Sequence, residues 1–433
     1  MADEVVVGVD IGTGAARAVT LDRAGRVLAN SEAWFAAARL SRGEADPFRW
    51  LEGLVLAVVQ LDAGPPAALG IGGQGPTTVM PSAGRALTYR HPAGASSDFA
   101  GQHLAQAEEM ARLFGGGDRP RQMWDFLAAE LGGSPDTQAV WPGQDPLEGF
   151  GDPIAVGSTV GVTAGDSGLP AGIVLAPAAN DAFLTAWAAA IDRPGKGFDP
   201  GGRTGGLGVA AAPSDHPSVS EHGIPGHVPG IYLVGGPAAS HGAMLDWWSS
   251  MTGRTVPDLI EAAAGVAPGS DGVTVLPFLE GERAPRWVPE LRAEIHGLGS
   301  ASDQGVVARA LLEASAYGLA HIARDLARHG VTMNRMVSSG APSRSNLWVS
   351  IKASVLGVPV DVPSCPEMAA YGAALAAGSA VGWWPRPGEG EAGDWPTPAF
   401  TTFEPETVKA YEEGLDRFIA LGDEATRRLR RGI

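Results

Sequence analysis

The first apolar cluster, Val5-Val6-Val7-Gly8-Val9, is a β-branched run closed by turn residues, and it predicts a buried strand. Asp10 ends it, Gly12-Thr13-Gly14 turns the chain, and residues 18–21 predict a second strand. Asp22-Arg23-Ala24-Gly25 is a turn signal, after which 26–29 pairs back. The opening is thus an antiparallel meander, whereas a dinucleotide-binding unit would put a helix after its first strand. Helices are expected over 50–61, 185–191, 302–329, 346–356 and 369–378. Ser302 is the expected N-cap of the long one and Gly330 its terminator. The helix at 369–378 is built of small residues and can lie close to a backbone or a flat ligand. Further strands are expected at 69–72, 206–212, 231–234, 334–339 and 358–362. Residues 93–155 combine weak periodicity with many Gly, Pro and Asp, and predict no clear elements. The mixture is α/β, with no tandem repeat of the solenoid kind.

A chain of 433 residues is too long for one core and suits two domains of about 200 residues each. The loop-like stretch 194–202 is the expected boundary, giving domains 1–195 and 196–433. The net charge of -17 disfavours nucleic acid and anionic membranes as partners. It leaves room for a phosphate ligand, because backbone N–H groups and a metal ion bind anions inside acidic proteins. A single cysteine, Cys365, precludes an internal disulfide framework and suits the cytoplasm. The acidic start does not read as a signal peptide, and the longest apolar stretch, around 172–191, is broken by Pro177, Asn180 and Asp181.

Five segments carry candidate chemistry. Asp10 is delivered by a strand to Gly12-Thr13-Gly14, where glycines let N–H groups approach phosphate and the carboxylate can hold hydrated Mg²⁺; a purely structural turn explains the pattern equally well. Asp181 stands just before a helix, as an N-cap does and as the proton acceptor of a phosphoryl transfer can. Gly201 to Gly208 holds five glycines in eight residues, either a phosphate cradle or a hinge. Gly281-Glu282-Arg283-Ala284-Pro285 reads locally as a surface loop with an ion pair. Ser339-Gly340-Ala341-Pro342, leading to Asn346, joins a strand to a helix and could admit a nucleotide base.

In this order and spacing the five segments resemble the FGGY carbohydrate kinases, the family of xylulose, ribulose, gluconate and glycerol kinases within the actin and hexokinase superfamily. The resemblance runs from Val5 to about Gly382. It implies two ribonuclease-H-like domains, each a five-stranded mixed sheet with helices, with ATP and sugar meeting in an interdomain cleft. The first domain would carry the sugar side and the catalytic base, the second the nucleotide side. By matching positions, Asp10 looks like the metal ligand, and Gly12, Thr13, Gly14 and Arg17 like the first phosphate site. Thr204, Gly205 and Gly206 look like the second phosphate turn, and Gly340, Ala341 and Asn346 like the adenosine pocket. Asp181 matches the catalytic base that also touches the substrate, and Gln74 a residue of the sugar cleft. ATP and Mg²⁺ are the implied cofactors, a small ketose or polyol the implied partner, with a homodimer left open.

The chain also departs from the family pattern. It is shorter than the usual member, with the missing length between about 96 and 151. Gly75-Pro76 stands where xylulose kinases have Met-His, and Tyr89-Arg90-His91 where relatives have Trp-x-Asp. Arg203 replaces a glycine, and Gly14 a serine. Phosphate machinery kept beside a rebuilt sugar pocket points to a sugar kinase of altered specificity, a pentulose such as xylulose or ribulose being the expected acceptor. The alternatives are a degenerate nucleotide or sugar sensor and another actin-like ATPase.

Overall fold

Three antiparallel strands open the chain: β1 (Val6–Ile11), β2 (Ala15–Leu21) and β3 (Val27–Trp34). Every residue of β1 is buried, as its unbroken apolar run predicts. The structure, a computed structural model, describes residues 4–432 apart from 36–38, 42, 63, 94–98, 116, 118, 217 and 240. The acidic start at 1–3 lies outside these.

The chain forms two compact units. The first comprises residues 1–190, 225–229 and 367–398, and the second 191–224, 230–366 and 399–433. In the first, β4 (Ala68–Gly73), β5 (Gly161–Val162) and β6 (Val174–Asn180) complete a sheet of order β5-β6-β4-β1-β2-β3. β1, β4 and β6 run parallel, while β5 closes the edge antiparallel to β6.

The second unit repeats the order. β7 (Lys196–Asp199), β8 (Gly206–Ala211) and β9 (Tyr232–Pro237) are antiparallel neighbours. β10 (Arg335–Ser338) and β11 (Val360–Pro363) extend from β7 in parallel, and β12 (Phe400–Phe403) closes antiparallel to β11. The five-strand order expected of a ribonuclease-H-like domain is therefore present twice, with one added edge strand in the first sheet and two in the second.

Helices form where cap and periodicity agree, with local corrections. α1 (Pro47–Gln60) starts at Asp46, whose carboxylate accepts from the Phe48 N–H at 3.0 Å. Residues 93–155, unassigned from sequence, contain α2 (Phe99–Phe114) and α3 (Met123–Glu130). α3 is buried at Met123 to Ala128 without a polar face, so tertiary packing rather than an amphipathic stripe makes it a helix. α4 (Asp181–Ala188) follows β6 directly. α5 (His241–Thr252) follows β9.

The long helix α6 (Gln304–Arg328) is capped by Asp303, which takes the N–H groups of Gly305 and Val306 at 2.9 and 3.0 Å, and not by Ser302. Ser302 Oγ instead accepts from Gly299 N at 3.1 Å. α6 is buried at every position from Gly305 to Tyr317, so it is a core helix rather than a one-sided one. Arg309 and Glu313 are tolerated there because they pair at 2.9 Å.

α7 (Asn346–Leu356) has its expected limits. α8 (Met368–Ala380) belongs to the first unit, where it lies against β1 and β4. Gly8 and Gly70 are paired across those strands, and a Cβ on either would strike the α8 backbone at Ala370 or Ala373. The small-residue helix therefore packs on a backbone, the first of its two sequence readings. α9 (Lys409–Arg431) carries the basic tail, in which Arg428 pairs with Glu294 at 2.6 Å. Among the described residues no helix is long and apolar enough to cross a membrane.

Candidate active site

In the first unit, the parallel strands β6, β4 and β1 lie side by side and deliver polar residues at the same ends. Asp10 is the fifth residue of β1, opposite Gly72 of β4 on one side and Arg17 of β2 on the other. Gln74 follows β4, its N–H bonded to Ile11 O at 2.9 Å. Asp181 follows β6, whose last residue, Asn180, is in register with Gly73. Three sequence-predicted residues, Asp10, Gln74 and Asp181, thus cluster because parallel neighbours end together.

Two of these side chains carry buried oxygens, Asp10 Oδ1 and Gln74 Oε1, that the fold leaves without a hydrogen-bond partner among the described residues. Buried polar atoms are normally paired, since leaving one unpaired costs about 1–3 kcal/mol. Arg17 does not take the Asp10 oxygen; it pairs with Glu32 across β2 and β3 at 2.8 Å. The Gly12-Thr13-Gly14 turn is held by Gly12 N to Ala15 O at 3.0 Å and leaves Thr13 exposed.

Asp181 is not the N-cap. Asn180 Oδ1 accepts from Phe183 N at 2.9 Å, and Asp181 occupies the first helical position, where its carboxyl accepts from the N–H of Ala182 at 2.9 Å. Burial, and then the negative charge of Asp10, push the Asp181 carboxyl up to about 7. Asp10 is itself raised by burial, with Arg17 opposing. These two carboxyls share one site, and neither ionises as easily as a free aspartate.

The second unit builds a different site on the same strand order. β7 ends at Asp199 and the chain turns through residues 200–205 into β8. Gly201, Gly202 and Gly205 have φ of 67°, 79° and 72°, the left-handed region that only glycine enters freely. The turn is tied to the start of α5: His241 N bonds Thr204 O at 3.2 Å and Ala243 N bonds Arg203 O at 3.0 Å. Arg203 itself points outward and pairs with Asp246 at 2.8 Å.

Gly340, with φ 68°, packs beside this turn; a Cβ there would lie 3.0 Å from Pro200 O and 3.2 Å from Gly202 N. The turn that carries Thr204, Gly205 and Gly206, expected from sequence to hold phosphate, and the Gly340-Ala341 loop are therefore neighbours. Ala341 and Asn346 are exposed, and Asn346 opens α7 behind the N-cap Ser345.

Sequence reasoning missed three buried residues beneath that turn: Asp199, Lys352 and His241. Lys352 Nζ bonds Asp199 Oδ2 at 2.5 Å and Ser338 Oγ at 3.0 Å. The ring of His241 backs Gly205, and burial drives its pKa down to about 4. A signal was present for Asp199, since Phe198-Asp199 before a glycine-rich turn repeats Val9-Asp10 before Gly12-Thr13-Gly14. Nothing local marks Lys352, which lies 153 residues away in sequence.

The chain is similar to known proteins in part of its sequence and in its fold. Residues 204–381 match the C-terminal domain of the FGGY family of carbohydrate kinases. A glycerol kinase of Gloeobacter violaceus is 37% identical over 155 residues, 35% of this chain and 31% of that protein. The similarity thus spans about a third of the length of such curated relatives. Among solved structures, a ligand-bound xylulose kinase from Lactobacillus acidophilus superposes with a TM-score of 0.77 at 16% identity, covering 98% of both chains. A Plasmodium falciparum glycerol kinase with ADP gives 0.73 at 14% identity, again over 98% of both. At such identities the structural matches establish a shared fold.

Proposed function

We propose, from the match of residues 204–381 to the C-terminal domain of the FGGY family of carbohydrate kinases and from a fold shared with solved sugar kinases, that the chain transfers the γ-phosphate of ATP to a hydroxyl of a small sugar or polyol. The observation that carries the reading is Asp181, a carboxyl released from helix capping and raised to about 7 beside Asp10. Such a group is a poised base near neutral pH.

The step is a displacement at phosphorus. The acceptor hydroxyl gives its proton to the Asp181 carboxylate as its oxygen bonds the γ-phosphorus. The bond from that phosphorus to the β,γ-bridging oxygen breaks, and ADP leaves. Gln74 Oε1, buried and unpartnered, is suited to accept a hydrogen bond from a second hydroxyl of the acceptor and so orient it. In the second unit, the N–H groups of the Gly201–Gly206 turn suit phosphate oxygens, and Gly340, Ala341 and Asn346 suit the nucleoside. Gly12, Thr13, Gly14 and Arg17 suit the transferred phosphate in the first unit.

Asp10 fits a divalent cation, because its buried Oδ1 lacks any partner among the described residues. Among those residues no group of three or more His, Cys, Asp or Glu is arranged to hold a metal, so an ion at Asp10 would share its coordination with water and phosphate oxygens, as Mg²⁺ prefers. When bound, Mg²⁺ supplies neutralisation of phosphate charge. The buried Cys365 suits a reducing cytoplasm.

Similarity to glycerol kinases, with a fold shared with xylulose kinases, supports a three- to five-carbon polyol or ketose as the class to test. ADP release coupled to a panel of glycerol, other polyols, pentuloses, hexuloses and sugar acids, with Asp181→Ala as control, decides. Turnover with one acceptor, lost in the variant, establishes the reaction and the base. ATP binding without turnover on any acceptor would leave the chain as a sensor.

A further inference from the structure

Asp10 and Asp199 occupy equivalent places in the two repeats. Asp10 lies one residue before the end, and Asp199 at the end, of the strand that pairs antiparallel with its successor and parallel with the third strand of the order, and each precedes a glycine turn. Their surroundings are opposite. Asp10 keeps an oxygen without a partner. Asp199, fully buried, has both oxygens occupied. Oδ1 takes Gly201 N at 2.9 Å and Gly206 N at 3.4 Å, and Oδ2 takes the ammonium of Lys352.

Gly201 and Gly206 bracket the turn, so one carboxylate oxygen spans it. A turn with three glycines at positive φ has many conformations available when untied. Fixing its two ends fixes the direction of the N–H groups between them, which is preorganisation for an anion. Lys352, itself 1% exposed, keeps that carboxylate charged in a dry place. Burial opposes ionisation of Asp199, but Lys352, then His241 and the Gly201 N–H, more than offset it, and its pKa is lowered. Ser338 Oγ and the Trp348 ring, 5.6 Å from Nζ, complete the lysine's shell.

We propose that the Asp199–Lys352 pair is a built-in counterion device that holds the Gly201–Gly206 turn in its phosphate-binding form, and that Asp199, unlike Asp10, ligates no metal. Asp199 is a positioning residue acting through the turn. The assignment rests on the reading of this turn as a nucleotide phosphate site.

The test uses two double variants, because either single change strands a buried charge and threatens folding. Asp199→Asn with Lys352→Met removes both charges but keeps an oxygen able to accept from Gly201 and Gly206. Asp199→Leu with Lys352→Met removes the acceptor too. Thermal melting checks that both fold; calorimetry with ATP and ADP, and steady-state kinetics, follow. The Leu/Met variant should raise the KM for ATP and the dissociation constant for ADP at least about tenfold, the effect of losing one charge-assisted hydrogen bond, with acceptor KM and the half-saturating Mg²⁺ unchanged. The Asn/Met variant should recover most of the ATP affinity. ATP and ADP affinity equal to wild type in a folded Leu/Met variant overturns the proposal while leaving the kinase reading intact. So does a Mg²⁺ requirement that rises as it does in Asp10→Asn. A wild-type chain that binds no nucleotide at all removes the phosphate reading and the proposal with it.

Discussion

Asn180 caps the helix that begins at Asp181, its side-chain oxygen accepting from Phe183 N at 2.9 Å, so the adjacent carboxylate does not serve as the cap. Two neighbouring residues of similar shape divide two tasks that a single aspartate at that junction could not perform together. A carboxylate that also accepted the Phe183 N–H would be further stabilised in its charged form and made a weaker base.

Asn180→Ala should therefore cost about 0.5–2 kcal/mol of stability, the usual loss of an N-cap. It should also lower turnover, since the helix start that positions Asp181 loosens. Urea denaturation and kcat report the two effects; an unchanged midpoint would mean that β6 and packing alone fix the helix start.

With Asp181 as the base, its carboxyl at about 7 should make the proposed transfer pH-dependent. The active form is the carboxylate, so kcat/KM should rise with pH, about tenfold per unit below 7, and level off above it. Asp181→Ala should abolish transfer while ATP still binds. A profile flat from pH 5 to 9 would remove Asp181 as the base.

The same shift bears on stability. The folded protein holds the Asp181 proton up to about 7 and the unfolded chain only up to the ordinary 3.8, so this group's contribution falls as pH rises between those values. Asp181→Asn, neutral at every pH, should melt higher than wild type at pH 8 and nearly equal to it below pH 4. Calorimetric melting at the two pH values measures the difference; a lower melting point at pH 8 contradicts the burial that raises this carboxyl.

Asp10→Asn removes a like charge from Asp181 and a candidate metal ligand at once. The acid limb of the residual activity should move to lower pH, and the half-saturating Mg²⁺ should rise by roughly an order of magnitude. A Mg²⁺ titration superimposable on wild type would exclude Asp10 from metal binding.

Gly70→Val tests the docking of α8. The new side chain would meet the Ala373 carbonyl, a backbone atom that cannot turn aside, so the loss should exceed the 1–3 kcal/mol of ordinary overpacking. Thermal melting of the variant beside Gly165→Val, where the backbone is not left-handed and a Cβ meets nothing within 4 Å, separates collision from a general glycine effect. Equal melting points would mean that α8 shifts freely.

By itself the sequence determined the elements whose signals are local. The β-branched run into Asp10, the Gly-Thr-Gly turn, the limits of the 346–356 helix and the order of the polar turns were all legible, because strand periodicity, caps and turn residues act within a few positions. The resemblance carried by those turns placed Asp10, Gln74 and Asp181 on one functional list. Only tertiary structure decided the rest. Register brings the ends of β1, β4 and β6 together, so the mutual repulsion of Asp10 and Asp181 depends on strand pairing rather than on sequence distance. α8 joins the first unit through Gly8 and Gly70, and Lys352 finds Asp199 from 153 positions away. α3 and α6, buried on every side for much of their length, carry no amphipathic stripe there to read. A buried charge pair or a backbone-to-backbone approach has no local signature, because its free energy comes from excluding water between segments that only the folded chain makes neighbours.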